Sequence, residues 1–289
     1  MDYVLTVGTL ACVYIVLACS LNLSGGYYGT LSLCQAALWG LGAYAYGISA
    51  VQWSVTPPLA LLSGVLVGVV GGMVIGLPAL RLRGDYFLIG TLGLGQVANS
   101  AFVNARSVTN GSGGISGIPP LTGIPAGHFY NLGYFGVALV AAFLCVALCV
   151  LVERSPFGQV LKGMAQDELA TAALGRSPFG AKIRALALGA GMAGLGGALY
   201  ASYVSFISPD VFTTGASLLI LSMVILGGIG RAWGAVAGAA VLVLLPEGLR
   251  FLKVPGPSTQ IWQQMVYGGA LIVLMAFHPQ GLLQPRSEQ

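Results

Sequence analysis

The segment ERSPFGQVLKGMAQDELATAALGRSPFGAKIR, residues 153–184, decides how the rest of the chain is arranged. It holds eight of the twenty charged side chains of the protein and lies between two long apolar runs. A water-facing loop rich in Lys and Arg is typical of the cytoplasmic side of a membrane protein. Within it, Gln166–Gly175 is predicted to form a short helix, because acidic residues come first, alanines fill the middle and glycine ends it. Such a helix is either a plain connector or a docking point for a soluble partner.

The composition places the chain in a membrane. Only 7% of the residues are charged and the mean hydropathy is +0.87, whereas a soluble domain carries about 25% charged residues. No charged residue occurs from Tyr3 to Leu80, and such a run supplies several spans of about 20 residues each. The amino-terminal stretch lacks the features of a signal peptide, so it is expected to remain as the first span. We therefore predict an all-α fold, a polytopic transmembrane helical bundle that residues 1–289 form as a single domain.

About nine spans are predicted, and Gly-rich or broken helices leave the count between eight and ten. They lie near residues 4–23, 33–51, 59–80, 86–102, 132–152, 185–207, 215–230, 232–245 and 261–277. Because the 153–184 loop is assigned to the inside, the loop 105–131, which is poor in Lys and Arg, is predicted to lie outside. The same alternation places the amino terminus outside.

A stripe of glycines marks the third span. Gly64, Gly68, Gly72 and Gly76 recur at every fourth residue, so one face of that helix is nearly bare backbone. Such a face gains little packing in lipid and is expected to meet another helix. That helix belongs either to this chain or to a second subunit, and the sequence leaves both open.

Residues 31–42, LSLCQAALWGLG, and residues 219–230, LILSMVILGGIG, share leucines and glycines at matching places. In the assigned orientation the first runs outward and the second inward, as the halves of an inverted repeat would. A chance match between two Gly-rich helices is the alternative.

The sequence carries no recognisable catalytic set. His128 and His278 are the only histidines, and the five cysteines form no CxxC pair. Protease, hydrolase and phosphate-loop motifs do not occur. We therefore predict no catalytic residue, no metal site and no nucleic-acid partner. The spans also hold almost none of the ionisable residues that secondary carriers usually place at membrane depth. A protein that moves a solute without them fits a passive channel or a permease driven by a separate ATPase.

Four polar side chains within the predicted spans are candidates for a solute path: Gln35, Thr91, Gln96 and Asn99. Residues 86–102 combine three glycines with four polar residues. This composition favours an interior or broken helix over a helix that faces lipid. The alternative is that these side chains form hydrogen bonds with neighbouring helices.

The 153–184 segment resembles the cytoplasmic coupling segment of ABC importer permeases, specifically those of the branched-chain amino acid family. The matching positions are Ser155-Pro156-Phe157-Gly158, Asp167-Glu168, Ala170, Ala172-Ala173 and Gly175. Four further blocks are similar to the same family in the same order, namely 31–44, 82–96, 109–119 and 217–239, and HPQGLL follows near the carboxyl end. The chain departs from the family pattern at Cys34, where glycine is common, at Gln96, where an acidic residue is expected, and at Gln166, where a basic one is common. Because the residue at position 96 differs from the family pattern, a substrate-binding role inferred for Gln96 from the family is in doubt.

The resemblance implies a non-enzymatic permease subunit in the bacterial inner membrane. It implies that a periplasmic binding protein delivers a branched-chain or other hydrophobic amino acid, and that two ATP-binding subunits and a second, related permease subunit complete the complex. ATP-Mg is then expected in the partner ATPases, with no cofactor in this chain. It makes Asp167, Glu168, Ala172 and Gly175 the residues that couple to the ATPase. The alternatives are a urea or short-amide importer permease and, more distantly, a self-sufficient channel or carrier.

Overall fold

The computed structural model describes residues 2–82, 84–121, 130–251 and 268–269. In this part of the chain eleven α-helices follow one another, with two short strands between them. The helices are α1 (Asp2–Ser24), α2 (Gln35–Val51), α3 (Pro57–Ala79), α4 (Asp85–Asn104), α5 (Arg106–Thr109), α6 (Tyr130–Arg154), α7 (Pro156–Gln166), α8 (Glu168–Ala173), α9 (Pro178–Val204), α10 (Thr214–Gly227) and α11 (Ala232–Phe251). The strands β1 (Ile115–Ser116) and β2 (Phe206–Ile207) pair in antiparallel register, with Ile115 opposite Ile207.

Six helical segments of the described residues are long and apolar enough to cross a membrane. They are Asp2–Tyr28, Pro57–Ala79, Tyr86–Asn104, Tyr130–Arg154, Pro178–Val204 and Pro209–Gly227. Helix α2 is also apolar but has 17 residues, and Ala232–Leu244 is a shorter apolar segment. The predicted span 261–277 lies outside the described residues except at 268–269. The protein is therefore a helical polytopic membrane protein, while the predicted count of nine spans is not confirmed.

Helix α9 is the most buried of the six spans, and α1, α2 and α3 pack around it. Glycines on these helices let the backbones approach each other closely. Ser20 on α1 donates a hydrogen bond of 2.7 Å to the carbonyl oxygen of Gly189, and a Cβ atom at Gly189 would lie 2.8 Å from the carbonyl oxygen of Ser20. Small residues thus lie between the helix backbones at these contacts, while Trp39 on α2 packs edge-on against Tyr200 on α9 and against Phe212.

The glycine stripe of α3 faces α9 of the same chain. All four of its glycines are buried, whereas Leu62, Leu66 and Val70 on other faces of α3 are exposed. A Cβ atom at Gly64 would lie 2.9 Å from the Cβ atom of Ala198 on α9. The helix that covers the stripe therefore belongs to this chain, and the alternative of a second subunit at this face is wrong.

The loops at one end of the bundle close over the break between α1 and α2. The hydroxyl of Tyr27 donates to the carbonyl oxygen of Cys149 near the end of α6, at 3.2 Å. A Cβ atom at Gly29 would lie 3.6 Å from that of Ala165 on α7. Because α6, α7, α8 and the start of α9 carry the charged segment 153–184, we call this the charged end of the bundle.

The opposite end is built from the chain between α4 and α6. The predicted external loop 105–131 contains α5 and β1, and residues 122–129 of it lie outside the described part. Gln52 donates to the carbonyl oxygen of Val108 at 3.1 Å, and Tyr46 to that of Pro119 at 2.9 Å. These hydrogen bonds attach the loop to α2, so its described part is an ordered cap.

Two halves of the chain share an order of elements. A long helix, a break, a short helix and a further helix follow one another from α1 to α3 and again from α9 to α11. The two halves run in opposite directions, because α1 ends and α9 begins at the charged end. The two similar stretches of sequence do not occupy equivalent places in the two halves. Residues 31–42 cover the start of α2, whereas residues 219–230 cover the end of α10. These two stretches therefore do not align the halves, which share the order of their elements and run in opposite directions.

Candidate functional site

The predicted coupling helix is shorter than its sequence pattern suggests and begins later. Asp167 has extended backbone angles, φ −152° and ψ 111°, and separates α7 from α8. Its carboxylate accepts hydrogen bonds from the backbone N–H groups of Leu169 at 2.8 Å and of Ala170 at 3.0 Å. Aspartate is favoured at this capping position over the interior of a helix. The prediction of a single helix over Gln166–Gly175 is therefore wrong at both ends.

The tetrapeptide Ser-Pro-Phe-Gly occurs twice and begins a helix each time. Ser155 accepts a hydrogen bond from the N–H of Gly158 at 3.2 Å at the start of α7, and Ser177 accepts one from Gly180 at 3.3 Å at the start of α9. Proline fits the first turn, where its missing N–H group has no helical partner. The repeated tetrapeptide is a sequence signal for both helix starts. Only its first copy, at residues 155–158, belongs to the family resemblance seen in the sequence.

Two ion pairs orient the charged end. Lys162 on α7 lies 3.0 Å from Glu153 on α6, and Lys182 on α9 lies 2.8 Å from Glu168 on α8. The second carboxylate oxygen of Glu153 also accepts from the N–H of Ala232, at 3.3 Å. Exposed pairs of this kind stabilise a fold by at most about 1 kcal/mol. The first pair attaches α7 to α6, and the second attaches α8 to α9.

Helix α8 presents apolar side chains to the surroundings of the charged end. Leu169 is 81% exposed and Leu174 is 83% exposed, and Ala172 between them is also exposed. Thr171 faces the other way, where it is buried against α7 and donates to the carbonyl oxygen of Asp167 at 2.9 Å. The sequence prediction omitted both leucines, although two leucines in a polar loop were a signal for such a surface. An apolar surface with a charged rim is typical of a protein interface.

Gly175 ends this element through its backbone rather than through packing. Its φ angle is +76°, and a Cβ atom placed on it would meet nothing within 4 Å. Left-handed backbone of this kind favours glycine, and a side chain there costs about 1–2 kcal/mol. Of the four predicted coupling residues, Asp167 and Gly175 thus shape the two ends of α8, Ala172 lies on its exposed side, and Glu168 attaches it to α9.

Two of the predicted solute-path residues are buried between helices. Gln35 is 0% exposed and donates to the hydroxyl of Ser20 at 2.7 Å, while its Oε1 has no hydrogen-bond partner among the described residues. Thr91 is 1% exposed, accepts from the N–H of Leu33 at 3.1 Å and donates to the carbonyl oxygen of Leu88 at 2.9 Å. Both side chains therefore attach the break between α1 and α2 to its neighbours.

The other two path residues face the second break. Asn99 donates to the carbonyl oxygens of Pro209 and Phe212, each at 3.0 Å, in the segment between α9 and α10. Gln96 is exposed and donates to the hydroxyl of Thr214 at 2.8 Å. Gln35 and Thr91 are therefore enclosed between helices, and Asn99 is half-buried. Among them Gln96 alone has an exposed side chain.

An exposed polar stripe runs along α4, the least buried of the six spans. Gln96, Ser100 and Asn104 follow one another at intervals of four residues, and all three are exposed. Residues four apart lie on the same face of a helix. A polar face is not favoured against lipid, since its hydrogen-bonding groups find no partner there.

Comparisons with known proteins identify a family and several relatives of this chain. The profile of the family described as "Branched-chain amino acid transport system / permease component" matches residues 3–275. The high-affinity branched-chain amino acid transport system permease protein LivM of Salmonella typhimurium is 31% identical over 300 residues, which cover 96% of this chain and 69% of the relative. LivM of Escherichia coli is 30% identical with the same coverage, and a probable LivM of Methanocaldococcus jannaschii is 26% identical over 78% of this chain and 67% of its own length. No solved structure gives a significant match.

The match to the family profile covers nearly the whole chain, and it includes both broken-helix halves and the charged end. The chain therefore belongs to the family of branched-chain amino acid transport system permease components, and it is a multi-pass protein of the inner membrane.

Proposed function

We propose that this permease carries a branched-chain or other hydrophobic amino acid inward, and that partner ATPase subunits drive it through α8. The observation that carries the proposal is the exposed apolar surface of Leu169, Ala172 and Leu174 at the charged end. Apolar surface on the water-facing side of a membrane protein is unfavourable unless a partner covers it. A groove on an ATP-binding subunit is such a partner.

The attachments of α8 suit it to transmit a displacement. Asp167 caps it, Thr171 packs it on α7, and Glu168 pairs with Lys182 on α9. Helix α9 in turn contacts α1, α2 and α3 through small residues. A force applied to α8 is thus applied to the start of the helix around which the bundle is packed. No long flexible linker separates the two.

The absence of charge at membrane depth supports an external source of energy. In the six described spans, charged side chains occur only near the helix ends, as Asp2, Glu153, Arg154, Lys182, Arg184 and Asp210. Proton and ion coupling require titratable groups deeper in the membrane. We therefore assign ATP-Mg to two partner ATP-binding subunits and solute delivery to a periplasmic binding protein.

The polar stripe of α4 supports a second permease subunit. Gln96, Ser100 and Asn104 are exposed, and although Gln96 donates to Thr214 and Asn104 to the carbonyl oxygen of Ser100, their remaining hydrogen-bonding groups favour a polar neighbour over lipid. A related subunit placed against α4 would enclose a route lined by dipoles, which suits a zwitterionic solute. Gln96 then touches the route, whereas Gln35, Thr91 and Asn99 hold the broken helices beside it.

The names of three relatives support an amino acid as the solute. They are branched-chain amino acid permeases, which does not favour the urea or short-amide alternative. The test is reconstitution of this chain with its ATPase, companion permease and binding protein in proteoliposomes. ATP-dependent uptake of labelled leucine is expected, and labelled urea should stay outside. Uptake of leucine without ATP, or a permease that captures no ATPase, would overturn the proposal.

A further inference from the structure

A groove with a volume of about 290 Å³ opens between α3 and α6 on the outer surface of the bundle. Its floor is α9, which contributes Leu188, Gly191 and Leu195. Val69 on α3 and Leu148 on α6 belong to its two walls, and every residue that lines it is apolar. Because α3, α6 and α9 are all spans, the groove faces the hydrocarbon of the bilayer. An empty groove would forfeit dispersion contacts on every wall, so an acyl chain of a lipid is its natural occupant.

Arg184 lies on the same face of α9 as the floor of the groove. The positions 184, 188, 191 and 195 are separated by four, three and four residues, which is the spacing of one helix face. Arg184 is exposed, and neither ion pair found in the described residues includes it. Its Nε donates to the carbonyl oxygen of Gly180 at 3.2 Å, and its guanidinium carbon lies 5.9 Å from the centre of the Phe157 ring. These contacts hold the side chain in place, and within the described part of the chain its terminal nitrogens have no acidic partner.

The depth of the groove matches one leaflet. Arg184 and Leu195 are eleven residues apart on a continuous helix, which corresponds to about 16 Å. The hydrocarbon core of a bilayer is about 30 Å thick, so one leaflet contributes about 15 Å. A lipid whose headgroup lies at Arg184 therefore extends an acyl chain to the far end of the groove.

We propose that an anionic phospholipid of the leaflet at the charged end binds here, with its phosphate on Arg184 and one acyl chain in the groove. The acyl chain fills the groove but gives little selectivity, because the surrounding bilayer is as apolar as the groove. Selectivity comes from the headgroup, since a guanidinium binds phosphate through two parallel hydrogen bonds. The lipid would link α3 and α6, which the groove otherwise separates.

The test measures lipid binding to the full chain in nanodiscs of phosphatidylcholine that contain a minor fraction of phosphatidylglycerol. Native mass spectrometry of the released protein counts the phosphatidylglycerol that stays bound. The wild type should retain phosphatidylglycerol in preference to phosphatidylcholine. Arg184→Gln should reduce that preference about fivefold, because one basic residue at a membrane surface contributes about 1 kcal/mol. The matched control is Arg176→Gln, an exposed arginine in the same charged segment, which should change nothing.

A second pair of variants tests the groove. Leu188 is 41% exposed, so Leu188→Trp places an indole ring in the groove without entering the core, and it should reduce the retained lipid of both classes. Leu66→Trp, at a 63% exposed position on α3 that does not line the groove, is the control. Millimolar inorganic phosphate should not displace the lipid. Equal retention by Arg184→Gln and Arg176→Gln, equal retention by Leu188→Trp and Leu66→Trp, or displacement by phosphate alone would each overturn the proposal.

Discussion

Leucine in place of Gly68 should push α3 away from α9 and destabilise the subunit. A Cβ atom at this position would lie 2.7 Å from the carbonyl oxygen of Ala190 and 2.9 Å from the Cα atom of Gly194. Both are backbone atoms of the central helix. No change of rotamer on α9 can therefore relieve the overlap, and the two helices must separate.

The size of the effect follows from what α3 loses when it moves. Overpacking of a tight core by itself costs about 1–3 kcal/mol. Separation of the helices also loosens the contacts of Gly64 with Ala198 and of Gly76 with Leu186, which lie on either side along the stripe. We therefore expect a loss of about 3 kcal/mol in the free energy of unfolding, roughly a 150-fold change in the equilibrium constant.

The measurement is denaturation of the purified subunit in mixed micelles with increasing SDS, followed by circular dichroism and tryptophan fluorescence. Gly136→Leu is the matched control, because a Cβ atom at Gly136 on α6 would meet nothing within 4 Å. Gly68→Leu should unfold at clearly lower SDS than the wild type, and Gly136→Leu should not. If both variants unfold with the wild type, the assignment of the stripe to α9 is refuted. A Gly68→Leu subunit that stays stable but loses a companion permease would instead favour a face between subunits.

Three further outcomes are expected. Ala172→Trp should abolish ATP-driven uptake and leave the SDS midpoint unchanged, because Ala172 is exposed; wild-type uptake would contradict the role of α8. Asp167→Ala should weaken uptake, because loss of the helix cap destabilises the start of α8 by about 1 kcal/mol. Asp167→Asn should retain most of the wild-type uptake. Equal uptake by the two variants would count against the capping role of Asp167. In a background without native cysteines, cysteine at Gln96 should react with a membrane-impermeant thiol reagent in at least one nucleotide state, while cysteine at Thr91 stays protected. The opposite labelling pattern would remove α4 from the route.

The sequence predicted the features that depend on composition and period. The membrane class follows from the lack of charge between Tyr3 and Leu80, and the buried face of α3 follows from glycines at every fourth residue. The charged segment 153–184 indicated one end of the bundle, and the structure gathers α7, α8 and the start of α9 there. These features were predictable because each one repeats along the sequence or contrasts with its neighbours.

The features that depend on the partner of a single side chain were not predictable. The acidic residues at 167 and 168 looked like the first turn of one helix, yet Asp167 caps α8 from outside it and Glu168 pairs across to α9. The sequence pattern around a glutamine within a span does not show whether its side chain contacts a solute or the serine of a neighbouring helix. Gln35 faces Ser20, and no periodic signal in the sequence distinguishes it from the exposed Gln96.

Two polar residues of α4, Thr91 and Asn99, are explained better by the two broken helices than by a solute. Backbone groups released by a break at membrane depth must find partners within the protein. Thr91 accepts from the N–H of Leu33 in the break before α2, and Asn99 donates to the carbonyl oxygens of Pro209 and Phe212 in the break before α10. One helix thus supplies partners to both breaks. The short helices α2 and α10 begin where α4 holds the chain, so a shift of α4 against the core would move both starting points together. A polar side chain in a span of this family can therefore affect solute transport without touching the solute.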